Sequence, residues 1–170
     1  IICDEAFLPL VPQGENQSLI PLVAELPNLI VIRSLTKLFG LAGLRLGYAI
    51  SMKKRLDRWK AWRDPWPLNG LAIKAGTLLM GNQGSLNIWI KNIHDWVSTE
   101  GTWLKSKLNQ LPSIKAFPSS ANFMLINSDR SLTNLRDELS YNKILLRDCR
   151  SFNQLGENWL RISLQDRPGN

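Results

Sequence analysis

The sequence has one histidine, two cysteines and two tyrosines in 170 residues. With no second histidine and no cysteine at metal spacing, His94 does not point to a metal centre. Its place in a long helical pattern makes it a packing or surface residue. Cys3 and Cys149 suggest neither a disulfide framework nor a metal site, so a reducing, cytoplasmic compartment is expected. Cys3 reads as a small hydrophobe in a buried strand. No apolar run reaches the ~20 residues of a membrane-spanning helix, so no membrane contact is expected. No internal repeat or low-complexity tract is present. Ile1-Ile2-Cys3-Asp4 carries no starting Met and no basic leader with a small-residue cleavage site. It begins in mid-strand, which reads as a piece of a longer protein.

A 44% hydrophobic share is enough for a buried core. Positive charge exceeds negative, 21 Lys and Arg against 14 Asp and Glu, for a net charge of +7. The basic residues are scattered. The one cluster, Lys53-Lys54-Arg55 followed by Arg58 and Lys60, falls on an expected helix and reads as a solvated face. No nucleic-acid partner is therefore expected, and an anionic cofactor and substrate are a better use of the arginines. The seven tryptophans read mostly as core or interface anchors.

The organising stretch runs from Leu29 to Tyr48. Leu29-Ile30-Val31-Ile32 is apolar and largely β-branched, the pattern of a buried strand. The pattern turns polar at Arg33-Ser34-Leu35-Thr36-Lys37. Gly40, Ala42 and Gly43 then make a flexible loop, and a second strand is expected over Leu44 to Ile50. A hydroxyl, an amine and a guanidinium (Ser34, Lys37 and Arg45) thus lie beside one loop between two strands, where ligand chemistry commonly resides. A buried lysine beside other cations has a depressed pKa and can act as a nucleophile. A guanidinium with a hydroxyl suits a phosphate.

Ser34-Leu35-Thr36-Lys37, with Arg45 eight positions later, resembles the cofactor-binding segment of fold-type I pyridoxal-phosphate enzymes, the class I/II aminotransferase family. The resemblance implies that Lys37 forms the Schiff base with the cofactor and that Ser34 and Arg45 hold its phosphate. Asp4-Glu5-Ala6-Phe7 resembles the family's Asp-x-Ala-Tyr motif. Asp4 would pair with the pyridine nitrogen, and Phe7 stands where the family has a tyrosine that hydrogen-bonds the ring oxygen. Asn122, in Ser120-Ala121-Asn122-Phe123, and Arg147 and Arg161 match substrate-binding positions. Arg161 would hold the α-carboxylate and Arg147 an anionic substrate group. Arg63-Asp64-Pro65-Trp66-Pro67-Leu68-Asn69 and the 145–152 segment are similar to the branch holding threonine-phosphate decarboxylase and histidinol-phosphate aminotransferase. The resemblance implies pyridoxal phosphate as cofactor, no metal, and a small anionic phosphorylated amino-acid substrate. It further implies decarboxylation in cobalamin biosynthesis or transamination, and a homodimer once an N-terminal half completes it. A truncated, non-catalytic remnant or dimer-forming module is the other reading.

The expected fold class is α/β. It comprises the C-terminal part of a doubly wound, mostly parallel sheet over 1–82 and a small α+β domain over 83–170. Strand Ile1–Cys3, a helix over 15–26 and the strand from Leu29 form a βαβ crossover. Helices are expected over Met52–Trp62, from Pro67 to about Leu79, over Leu86–Leu111 and over Ser131–Ser140. Strands are expected over Ile114–Phe117, Ala121–Asn127, Ile144–Arg147 and Trp159–Leu164.

Overall fold

The computed structural model describes residues 1–170. The chain divides into two compact units, Ile1–Ile93 and His94–Asn170.

The first unit is built on a three-stranded sheet. Strands β1 (Ile2–Asp4) and β2 (Ile30–Ser34) pair in parallel, with Asp4 opposite Ile32. Strand β3 (Gly47–Ile50) runs antiparallel to β2, with Gly47 opposite Ser34. Side chains alternate across a sheet, so its two faces have different populations. Cys3, Glu5, Val31 and Arg33 share one face, where Val31 is fully buried. Asp4, Ile32 and Ser34 share the other, where Ile32 is 39% exposed. Val23, Leu29 and Val31 form the core of the covered face, with Cys3, Leu19, Ile20 and Ile50 packed around them. Cys3 is half-buried rather than buried, because β1 lies at the sheet edge.

The expected helix over 15–26 is instead two 3-10 turns, Gly14–Gln17 and Ile20–Ala24. The reason lies in the hydrogen bonds. Pro21 has no N–H to give, and the Leu19 N–H and the Ser18 hydroxyl both donate to the Glu5 carboxylate. The segment is thus tied to the sheet at Ser18 and Leu19, and its other donors close short turns, such as Leu22 N to Leu19 O at 3.0 Å, instead of a continuous α-helix. The strand expected from Leu44 begins only at Gly47. Ala42–Leu44 is a 3-10 turn, and Arg45 has a left-handed backbone with φ of 51°.

Helix α1 (Leu35–Phe39) is unexpected, standing where the polar pattern pointed to a loop, whereas α2 (Lys53–Trp62), α3 (Gly70–Met80) and α4 (Gln83–Leu108) follow the predicted spans closely. Asn69 caps α3, its side chain accepting from Ala72 N at 2.8 Å. The units part inside α4, whose first residue, Gln83, lies within the stretch Gly81-Asn82-Gln83-Gly84.

The second unit holds a four-stranded sheet of order β4-β5-β7-β6. Its strands are β4 (Lys115–Ala116), β5 (Phe123–Asn127), β6 (Arg147–Asp148) and β7 (Trp159–Ser163), and all pairings are antiparallel. Helix α5 (Thr133–Tyr141) lies between β5 and β6 in sequence. Met124, Ile126, Leu160 and Ile162 alternate onto the core with Leu104 and Leu132. Of the tryptophans, Trp96 and Trp103 pack against this core, while Trp59, Trp62, Trp66 and Trp89 are exposed, contrary to a core role.

Candidate active site

Parallel pairing brings the carboxyl ends of β1 and β2 to one edge, and β3, being antiparallel, starts there. Asp4 closes β1, exposed, with Oδ1 accepting Ala6 N at 2.9 Å. Ser34 closes β2 and is half-buried. Its hydroxyl makes no capping bond to α1, which begins at the next residue. The placement of α1 is set by its apolar residues. Leu35 and Leu38 are buried, the Phe39 ring stacks on Trp89 with centroids 6.1 Å apart, and Trp89 Nε1 donates to Leu38 O at 2.9 Å. Gly40 ends the helix at φ of 65°, a conformation costly to a side-chain-bearing residue.

With Leu35 and Leu38 inward, Lys37 points outward and is exposed. The expectation of a buried lysine is therefore corrected: helix periodicity, set by the leucines, turns the amine away from the core. Lys37 Nζ stands 5.1 Å from the centroid of the Phe7 ring. Phe7 itself packs on the Leu10–Leu38–Leu86 cluster. The motif starting at Asp4 and the motif ending at Lys37 thus meet through their last residues. Arg45 lies at the same sheet end, two residues before the Gly47 that pairs with Ser34. It is exposed, and its Nη1 donates to Ala42 O at 3.2 Å. A Cβ at Gly47 would fall 2.9 Å from Arg33 O, so the chain passes close to β2 here. A groove of about 500 Å³ opens beside Asp4 and Phe7, lined also by Cys3, Glu5, Leu8, Val11 and Gln17. Lys37, Ser34 and Arg45 are not among its walls.

On the opposite face lies a cluster that the sequence reading missed. Glu5 and Arg33 are 5% and 4% exposed. Arg33 Nε donates to Glu5 Oε2 at 2.9 Å, and its two terminal nitrogens reach both oxygens of Glu15 at 2.7 and 2.9 Å. Burial works to lower the Arg33 pKa, but the hydrogen bonds and charges of Glu15 and Glu5 outweigh it and hold the guanidinium above its usual value. The available signal was a charged residue ending an apolar run, with another following Asp4.

In the second unit, Arg147 and Arg161 are cross-strand partners. Each guanidinium lies over an aromatic ring, Arg147 over Phe152 at 5.9 Å and Arg161 over Phe123 at 5.0 Å. Asn122 is half-buried just before β5, and its carbonyl accepts Leu164 N at 2.9 Å. The buried Cys149 thiol has its pKa raised by burial, against the charge of Arg161.

Residues 1–167 match the model of the family described as aminotransferase class I and II. The chain is 31% identical over 166 residues to threonine-phosphate decarboxylase of Salmonella typhimurium, covering 97% of this chain and 44% of that protein. It is 28% identical over 164 residues to histidinol-phosphate aminotransferase 1 of Idiomarina loihiensis, covering 96% and 43%. Among solved structures, the histidinol-phosphate aminotransferase from Clostridium acetobutylicum superposes with a TM-score of 0.87 at 28% identity, over 99% of this chain and 50% of that one. The chain spans about half the length of the curated relatives it matches. Sequence and fold agree that this chain belongs to the aminotransferase class I and II family.

Proposed function

We propose that this chain is the C-terminal portion of a pyridoxal-phosphate enzyme acting on a phosphorylated amino acid or amine, with decarboxylation of a threonine-phosphate-like substrate, as in cobalamin biosynthesis, the favoured reaction. The observation that carries the reading is the gathering of Asp4, Ser34, Lys37 and Arg45 at one end of one sheet. The donor set fits the cofactor. An exposed carboxylate suits a pyridinium nitrogen, an exposed amine suits an aldehyde, and a hydroxyl unused in capping with a guanidinium suits a phosphate. Phe7 brings no hydrogen-bond donor to the ring oxygen and offers only its face and edge.

When bound, pyridoxal phosphate supplies an electrophilic aldehyde and a ring that takes up the electrons of a breaking Cα bond. Asp4 holds the proton on the ring nitrogen by charge. Lys37 Nζ is the nucleophile and, in a transaminase, the base that moves the Cα proton. Ser34 and Arg45 hold the phosphate. In the second unit, Arg161 takes the substrate carboxylate, Arg147 the substrate phosphate, and Asn122 supplies an amide. Histidinol-phosphate transamination is the second reading, supported by the overall likeness to that group. A cytoplasmic homodimer is supported by two free cysteines and by the exposed apolar residues Leu71, Ile73 and Leu78 of α3.

The test is addition of pyridoxal phosphate to the chain, borohydride reduction and peptide mapping. Label on Lys37, absent in Lys37→Ala, supports the reading; equal labelling of all exposed lysines overturns it. In the full-length protein, carbon dioxide release from O-phosphothreonine supports the decarboxylase. Amino transfer from histidinol phosphate supports the transaminase.

A further inference from the structure

We infer that Arg33, with Glu5 and Glu15, is a positioning device for the site on the other face of the sheet, an inference that rests on the pyridoxal-phosphate reading. The two buried brace residues are chain neighbours of site residues: Glu5 follows Asp4, and Arg33 precedes Ser34. Strand alternation sends each pair to opposite faces. Glu5 N also donates to Ile32 O at 2.9 Å, extending the β1–β2 ladder one residue beyond Asp4. A pull on the covered face is therefore transmitted through single residues to Asp4 and Ser34.

The hydrogen bonding of the cluster is complete on the buried side. Glu5 Oε1 accepts Leu19 N at 2.7 Å, while its Oε2 accepts the Ser18 hydroxyl at 2.9 Å and Arg33 Nε at 2.9 Å. Arg33 Nη2 reaches Ser18 Oγ at 2.9 Å. The planar guanidinium thus ties three chain segments, around residues 5, 15–18 and 33, in one geometry. A buried ion pair of this kind gives little stability relative to an apolar replacement of similar shape, whereas its directional bonds select one arrangement. Away from this cluster, with Ser18 and the Tyr48 paired to Arg33, the covered face is apolar around Val23, Leu29 and Val31. The only charges there sit at the strand ends, directly behind the site, where geometry counts and bulk stability does not require them. Glu15 is the accessible arm, its side chain 52% exposed.

The experiment uses the whole chain and three variants. Arg33→Met with Glu5→Leu removes both buried charges together, so neither is orphaned. Glu15→Gln weakens the brace from its exposed end and leaves the core intact. Lys37→Ala reports background labelling. The readouts are circular dichroism, hydrogen exchange at the Glu5 and Leu35 amides, and the rate of borohydride-trapped pyridoxal-phosphate label on Lys37. The expected result is a native far-ultraviolet spectrum in both brace variants with faster exchange at these two amides. Lys37-specific labelling falls about tenfold in the double variant and about threefold in Glu15→Gln. Native spectra with unchanged Lys37 labelling overturn the positioning role and leave the cofactor reading standing. If the double variant does not fold, Glu15→Gln decides: reduced Lys37 labelling with a native spectrum supports the role, and unchanged labelling overturns it. An unmodified chain whose Lys37 labels no faster than its other lysines overturns the cofactor reading, and the positioning role with it.

Discussion

Lys37 Nζ lies 5.1 Å above the ring of Phe7, joining residues that come from two different strand ends. A cation over an aromatic face at an exposed site contributes about 0.5–1 kcal/mol. Phe7 also packs on Leu10, Leu38 and Leu86, so it supports α1 from beneath while its face meets the amine.

Replacing Phe7 therefore has two separable effects. Phe7→Ala is expected to lower stability by about 1–2 kcal/mol, since the ring is half-buried. Phe7→Tyr keeps ring and packing and is expected to cost under about 0.5 kcal/mol. Urea unfolding of the three chains checks this. Equal midpoints for Phe7→Ala and the unmodified chain would refute the packing role.

The Arg147–Arg161 pair leads to a prediction about anions. Arg147 and Arg161 are cross-strand partners, so their like-charged side chains leave one face of the sheet side by side and an anion bound between them would be attracted by both. Inorganic phosphate at ten times its dissociation constant is expected to stabilise the chain by about 1.4 kcal/mol. Chloride at matched ionic strength should do less, and Arg147→Met or Arg161→Met should abolish the difference. Thermal unfolding measures it, and a phosphate effect that survives both substitutions would place the anion elsewhere.

Asp148 makes acid stability sensitive to β6. The Arg150 side chain and backbone, followed by the charge of Arg136, hold its carboxyl down at about 2, below the ordinary 3.8. Asp148 accepts from Arg150 N at 2.8 Å and from the Arg136 guanidinium. A depressed carboxyl contributes stability that is fully present above the unfolded value and lost as pH falls through the folded one. The difference in melting temperature between the unmodified chain and Asp148→Asn should thus be constant above pH 4 and shrink from pH 4 to about 2. A difference unchanged down to pH 2 would contradict the assignment.

The second unit depends on a well-filled core. Met124 is 1% exposed and packs with Leu104, Ile126, Leu160 and Ile162. Met124→Ala is expected to cost about 2–5 kcal/mol, the cost of losing the buried atoms and leaving a cavity. Ser119→Ala, in the loop before β5, removes the acceptor of Ala121 N at 3.2 Å and should cost only about 0.5–1.5 kcal/mol. Denaturant melts of the two variants provide the comparison.

Much of this was legible in the residues. An apolar β-branched run marked β2, short apolar pieces marked β5 and β7, and helical periodicity marked α2 to α5, because burial of one face imposes a period that the sequence must carry. The Ser34–Lys37–Arg45 spacing and Asp4 pointed to residues that the fold brings to one end of the first sheet, where the cofactor is proposed to bind. Three things were not legible. The segment 15–26 has helical spacing, yet the Ser18 hydroxyl and the Leu19 N–H are drawn to Glu5, a partner distant in sequence. The exposure of Lys37 depends on which side of α1 the leucines occupy, and only packing decides that. The Glu5–Arg33–Glu15 cluster joins positions 28 and 18 residues apart. Local pattern determines period and polarity along the chain. Which distant charges meet, and which face they brace, is decided by strand register, a property of the folded sheet alone.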